Sequence, residues 1–97
     1  MLNRTDPQVL NDVLKELITK FGWQEKFDLS YMMNNWTEIM GSKFAEVTKP
    51  TKLKDAVLTV ETNSSVWRTE LFYRREQIIE KINTIIGKIA VKELIIR

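Results

Sequence analysis

The chain has 97 residues, enough for one small domain and too few for two. Hydrophobic residues make up 43% and charged residues 29%, a globular composition, with a formal net charge of only +2. The absence of cysteine and histidine excludes a disulfide framework, removes the usual ligands of a structural zinc site, and rules out Ser-His and Cys-His nucleophile pairs.

The opening MLNRTDPQV has no apolar run, and no stretch is long and apolar enough for a signal peptide or a membrane span, so a cytoplasmic protein is expected. Asp6-Pro7 is a strong helix start, a capping side chain followed by a proline suited to the first helical position. Leu10, Val13, Leu14, Leu17, Ile18 and Phe21 then recur at helical spacing and are expected to face a core, until Gly22 stops the helix. Residues 23–27, WQEKF, are expected to be a connector. Asp28 or Ser30 is the candidate cap of the next helix, whose apolar stripe is Leu29, Met32, Met33, Trp36, Ile39 and Met40. Gly41 interrupts it, and Ser42 can begin a further short helix using Phe44, Ala45 and Val47.

Pro50 ends helical structure, and the period changes. Ala56, Leu58 and Val60 alternate with Val57, Thr59 and Glu61, so residues 57–62 form a strand with one apolar face. Asp55-Ala56 is the expected tight turn that pairs it with a short strand at 50–54, in a hairpin lacking the usual glycine. Asn63, Ser64 and Ser65 offer the next cap; a long helix follows with Leu71, Ile78, Ile82 and Ile85 on its buried stripe, and it ends at Gly87. Residues 91–97 read as a third strand, Leu94 and Ile96 facing one way and Val91 and Ile95 the other. The order is ααββαβ. A hairpin alone is marginal, so the third strand must join it, giving one α+β domain over 1–97 with a three-stranded sheet and helices on one face.

Charge is uneven along the chain. Residues 1–48 carry 5 basic and 7 acidic side chains, residues 49–97 carry 10 and 6. A basic half suits a nucleic-acid or acidic-protein partner, and equally suits ordinary solvated lysines. On the long helix Trp67, Arg74, Lys81 and Lys88 are spaced by seven, which places them nearly in line along the border of the buried stripe. Trp67 is open to two readings. It caps a small core while the basic stems lie over apolar surface, or it is an aromatic anchor for a single-stranded base or a protein partner, and both can hold at once because a tryptophan can bury one edge and show the other. Arg68 and Arg75, with Phe72 and Tyr73 between them, also put aromatics among arginines, although Phe72 is expected in the core. Lys49, Lys52 and Lys54 of the hairpin, with Lys92 and Arg97, are candidates to extend the basic surface. No carboxylate pair is set among apolar residues as a tuned acid and base, so neither an enzyme nor a cofactor is expected.

Three pieces stand in a row: Trp36-Thr-Glu-Ile-Met-Gly41 with Phe44-Ala45; Lys49-Pro50-Thr51-Lys52-Leu53 with Val57-Leu58-Thr59-Val60; and Ser64-Ser65-Val66-Trp67, Glu70-Leu71, Ile82-Asn83 and Gly87. In this order and spacing they resemble the DciA family over about residues 29–97, leaving 1–27 as an N-terminal helix and connector ahead of the family core at 28–97. The resemblance implies a KH-like fold and a bacterial role at replication initiation, binding the replicative helicase and helping to load it onto single-stranded DNA. The competing functions are a KH-like module that binds RNA without a helicase partner, and a structural interaction domain whose basic surface is incidental. Gly22, Gly41 and Gly87 form no G-x-x-G loop, so clamping of a nucleotide backbone in the manner of KH domains is not expected. The resemblance also implies that longer members carry a disordered extension. This chain stops at its last strand; if such an extension helps to engage helicase or DNA in those members, this chain is expected to manage with the domain alone or to act differently.

Overall fold

A computed structural model describes residues 6–97; the opening residues 1–5, read from the sequence as free of any apolar run, lie outside the described residues. Helix α1 spans Pro7–Lys20. The Asp6 carboxylate accepts the Gln8 N–H at 2.8 Å, and Pro7 occupies the first turn, where its missing donor costs nothing. Gly22, in the left-handed region at φ 66°, turns the chain directly into α2 (Trp23–Asn34).

The expected connector at 23–27 is therefore helical. One left-handed residue suffices for the turn, and WQEKF contains no breaker. Asp28 and Ser30 lie inside α2 rather than at its start: Asp28 accepts from Gln24 Nε2 at 3.1 Å, one turn earlier. The helical run continues as α3 (Trp36–Met40) and α4 (Ser42–Val47), broken at Asn35 and at Gly41 (φ 83°). α4 is the short helix expected from Ser42; the departures from the periodicity are the earlier start of α2 and the break at Asn35 that separates α3 from it.

Strand β1 spans Thr48–Lys54 and β2 spans Val57–Thr62, paired antiparallel. β1 starts two residues before the expected boundary and carries Pro50 within it. That is tolerated because β1 is an edge strand, and the register slips between Pro50 and Lys52. Asp55 (φ 52°) and Ala56 (φ 63°) make the two-residue turn, both with positive φ and neither a glycine. The Glu25 carboxylate of α2 accepts the Asp55 N–H at 2.9 Å and steadies that turn.

Helix α5 spans Ser65–Ile86, capped by Ser64 Oγ on the Trp67 N–H and closed by Gly87 at φ 85°. β3 is shorter than expected, Glu93–Ile96, and lies parallel to β2 in the order β1-β2-β3. The segment from α5 into β3 is held by one side chain. Asn83 Oδ1 accepts the N–H groups of Ala90 (3.0 Å) and Val91 (2.9 Å), while its Nδ2 donates to the Val91 carbonyl at 2.8 Å.

Met32, Trp36, Ile39, Leu53, Leu58, Val60, Leu71, Ile78, Ile82, Val91 and Leu94 make the core, between one face of the sheet and helices α2, α3 and α5. Trp36 brings its indole N–H with it, and the cost is met by a relay: Nε1 donates to Thr48 Oγ1 at 3.0 Å, and that hydroxyl donates to the Phe44 carbonyl at 2.6 Å. The chain is a two-layer α+β domain, as its periodicity suggested.

α1 departs from that scheme. None of its residues is buried, and Leu10, Val13, Leu14 and the following Phe21 are exposed. The helix packs chiefly on α2, with Leu17 and Ile18 half-buried while Leu10, Val13 and Leu14 stay open, and the described residues extend 61 × 20 × 19 Å.

Candidate interaction surfaces around helix α5

α5 positions most of the candidate residues, because a 22-residue helix presents a different set of side chains to each neighbour. On the side facing α3 and α4, Trp67 is half-buried and packs edge-to-face on Phe44, ring centroids 4.9 Å apart at 74°. Lys43 Nζ lies 5.6 Å from the centre of the Trp67 ring, and the Arg74 guanidinium 5.4 Å from that of Phe44. Arg74 also pairs with Glu70 one turn back, at 3.4 Å, in the open. Just beyond lies a groove of about 190 Å³ lined by Ile39, Met40, Phe44, Leu71, Arg74, Gln77, Ile78 and Lys81. Trp67, Arg74 and Lys81 therefore share one surface: two aromatic rings flanked by cations at the mouth of an apolar groove. Edge-to-face aromatics with cations over their faces are pre-organised contacts of the kind that anchor interfaces.

Lys88 does not continue this line. It follows the left-handed Gly87, so the helical spacing ends before it, and its Nζ pairs with the Asp28 carboxylate of α2 at 2.9 Å. Lys88 joins two helices and is not a free cation of the ridge.

Arg75 lies on the other flank of α5, toward β3. Its guanidinium stacks on Phe72 at 4.2 Å from the ring centre. Phe72 is 53% exposed rather than in the core, and Tyr73 is 79% exposed. The core positions of that turn are taken by Leu71 and Ile78, which leaves Phe72 one step off the buried stripe.

Lys52 and Lys54 occupy a third surface. They alternate with the buried Leu53 and so stand on the open face of the sheet, around a depression of about 370 Å³ with Thr51, Asp55, Val57, Thr59, Glu61, Ile95 and Arg97. The carboxylates of Asp55 and Glu61 interleave with the cations there. The basic surface expected to run continuously from α5 into the hairpin is divided by the sheet itself.

Sequence reasoning missed Lys43 and the surface role of Phe44. Phe44 was assigned to a short helix's apolar side, which is half the truth: it packs on the core and shows an edge beside Trp67. Nothing local could have joined α4 to α5, whose contacting residues are more than twenty positions apart. Among the described residues no helix is long and apolar enough to cross a membrane.

The signature pieces now have physical meanings. Trp36 and Ile39 are core, Gly41 supplies a positive φ, Ser64 is a cap, Leu71 is fully buried, and Asn83 and Gly87 shape the exit of α5. The family profile described as "Dna[CI] antecedent, DciA" matches residues 9–96, starting inside α1. A UPF0232 protein of Mycobacterium tuberculosis is 34% identical over 89 residues, which is 92% of this chain and 48% of that protein. UPF0232 proteins of Mycolicibacterium smegmatis (32% over 82 residues, 84% of this chain and 42% of theirs) and Rhodococcus jostii (31% over 89 residues, 92% and 47%) are similar to it as well. The chain spans about half the length of these curated relatives. With a profile match across nearly all of its length, the chain belongs to the DciA family.

Proposed function

We propose that this chain is a DNA-replication accessory domain that binds the replicative helicase in the cytoplasm and assists its loading on single-stranded DNA. Family membership supports the connection with replication. The observation that carries the helicase reading is the Trp67–Phe44 pair, flanked by Lys43 and Arg74 at the mouth of the groove that ends at Lys81. A large aromatic that is half-buried in the free domain is already ordered, so little side-chain entropy opposes its use in an interface.

Single-stranded DNA binding in this reading is weak and electrostatic. Lys81 lies on the α5 surface, while Lys52 and Lys54 lie on the open sheet face, so the two sets contact phosphates independently. Lys81→Glu and Lys52→Glu should each weaken binding of all sequences alike, and each should reduce the salt slope by about one phosphate contact. Lys88→Glu is a poor probe of this, since it would set a second carboxylate against Asp28.

The deciding experiment titrates the chain with the host's replicative helicase, with oligothymidylate and with single-stranded RNA over a range of salt. Saturable helicase binding together with steeply salt-dependent DNA binding is expected. Tight RNA binding with no helicase affinity would assign the chain instead as a KH-like RNA-binding module.

A further inference from the structure

The far flank of α5, remote from the Trp67 surface, carries a second arrangement. β3 is an edge strand, paired on one side only. In a parallel ladder both backbone groups of alternate residues point the same way. The N–H groups of Glu93 and Arg97 go to the Ala56 and Val60 carbonyls of the hairpin, at 3.2 and 2.9 Å, and the Arg97 carbonyl accepts from Thr62 N–H at 3.0 Å. The N–H and C=O groups of Leu94 and Ile96 therefore point away from the sheet. Beside that edge lies a groove of about 420 Å³ between α5 and β3, lined by Arg68, Thr69, Phe72, Tyr73 and Arg75 with Leu94 and Ile96.

We propose that this edge is a peptide-docking site: an extended segment of a partner protein adds to β3 as a fourth strand, turning every second side chain toward α5, apolar ones into the groove and a carboxylate at the end of that same row beside Arg68 or Arg75. Three observations select this occupant. The unpaired groups of Leu94 and Ile96 recur at strand spacing, which another extended backbone matches. The groove floor is apolar, with Phe72 and Ile96 as its walls, which suits aliphatic or aromatic side chains. Its charged rim is made of arginines, whose planar guanidinium groups suit carboxylates. A nucleic acid fits less well. One face of Phe72 is already covered by the Arg75 guanidinium at 4.2 Å, and Arg68 Nη2 donates to the Thr62 carbonyl at 3.2 Å. Two arginines, one so engaged, are too few to track a phosphate backbone.

The test uses the 97-residue chain with amide NMR and synthetic peptides of about six residues, a typical strand length, in which one row of alternate positions carries Val, Leu or Phe and ends in Glu while the other row is Thr or Ser. Such peptides should shift the Leu94 and Ile96 amide signals. N-methylation at every second peptide position should cost about tenfold or more in affinity in one phase and little in the other, since only one phase faces β3. Arg75→Glu should weaken the acidic peptides and favour their lysine counterparts. The proposal is overturned if no peptide binds at millimolar concentration or if both methylation phases act alike. It is equally overturned if oligothymidylate alone shifts these amides, or if they become protected with rising protein concentration, which would assign the edge to nucleic acid or to a second copy of the chain. Helicase binding at the Trp67 surface is independent of every one of these outcomes.

Discussion

Asn83 shows how much one polar side chain can settle. Both ends of its amide are committed to residues 90 and 91, and those bonds set Val91 into the core and aim the chain at β3. Asn83→Ala removes three hydrogen bonds and strands two backbone donors in a part-buried place. We expect a loss of about 2–4 kcal/mol, on the scale of unsatisfied buried groups, with the amides of 90–96 exchanging faster than those of α5. Asn83→Asp keeps the acceptor and loses the donor, so thermal melting should place it between the wild type and the alanine variant. Trp67 is the opposite kind of residue. It contributes to packing through Phe44 and keeps part of its ring at the surface, an arrangement compatible with both of its sequence readings at once.

At the scale of the element, the hairpin turn stores strain. Ala56 at φ 63° adopts a conformation that costs an L-residue about 1–2 kcal/mol and glycine almost nothing. It is held there because its carbonyl accepts from Lys92 (2.8 Å) and Glu93 (3.2 Å), which fastens the start of β3 to the hairpin. Ala56→Gly should therefore stabilise the domain by up to about 1 kcal/mol after the entropy cost of glycine, a rise in melting temperature of roughly 4–8 °C. An unchanged or lower melting temperature would show that the turn is not strained. Helix α1 makes a contrasting case, an amphipathic helix that packs chiefly on α2 and leaves Leu10, Val13 and Leu14 open. A lone 14-residue helix is marginal in water. Its amides should exchange much faster than those of Leu71, Ile78 and Ile82, by hydrogen exchange monitored with mass spectrometry. Equal protection would mean that its apolar stripe is covered in solution.

For the molecule as a whole, the residues were informative wherever local physics decides. The caps at Asp6 and Ser64, the stops at Gly22 and Gly87, the turn at Asp55-Ala56 and the alternation in β2 could all be read from single short stretches. What escaped was long-range. The α1 stripe looks like core in sequence, yet the helix packs chiefly on α2 and leaves Leu10, Val13 and Leu14 open. Phe72 has the hydrophobicity of a core residue, yet Leu71 beside it takes the buried position. The seven-residue spacing that reaches Lys88 outlasts the helix that gives it meaning. The candidate cations looked like one basic field and are three, separated by α5 and by the sheet. Charge reversal on one of these surfaces should therefore leave the other two unperturbed.

The central claim, that the Trp67–Phe44 surface anchors the helicase, is tested most directly by one variant measured two ways. Trp67→Ala removes a half-buried ring, so the melting curve should shift by about 2 kcal/mol, roughly half the cost of deleting a fully buried tryptophan. Helicase affinity, measured on the folded variant below its melting transition, should fall by about 2 kcal/mol or more, some thirtyfold. A folded Trp67→Ala protein that binds helicase as tightly as the wild type would contradict the account.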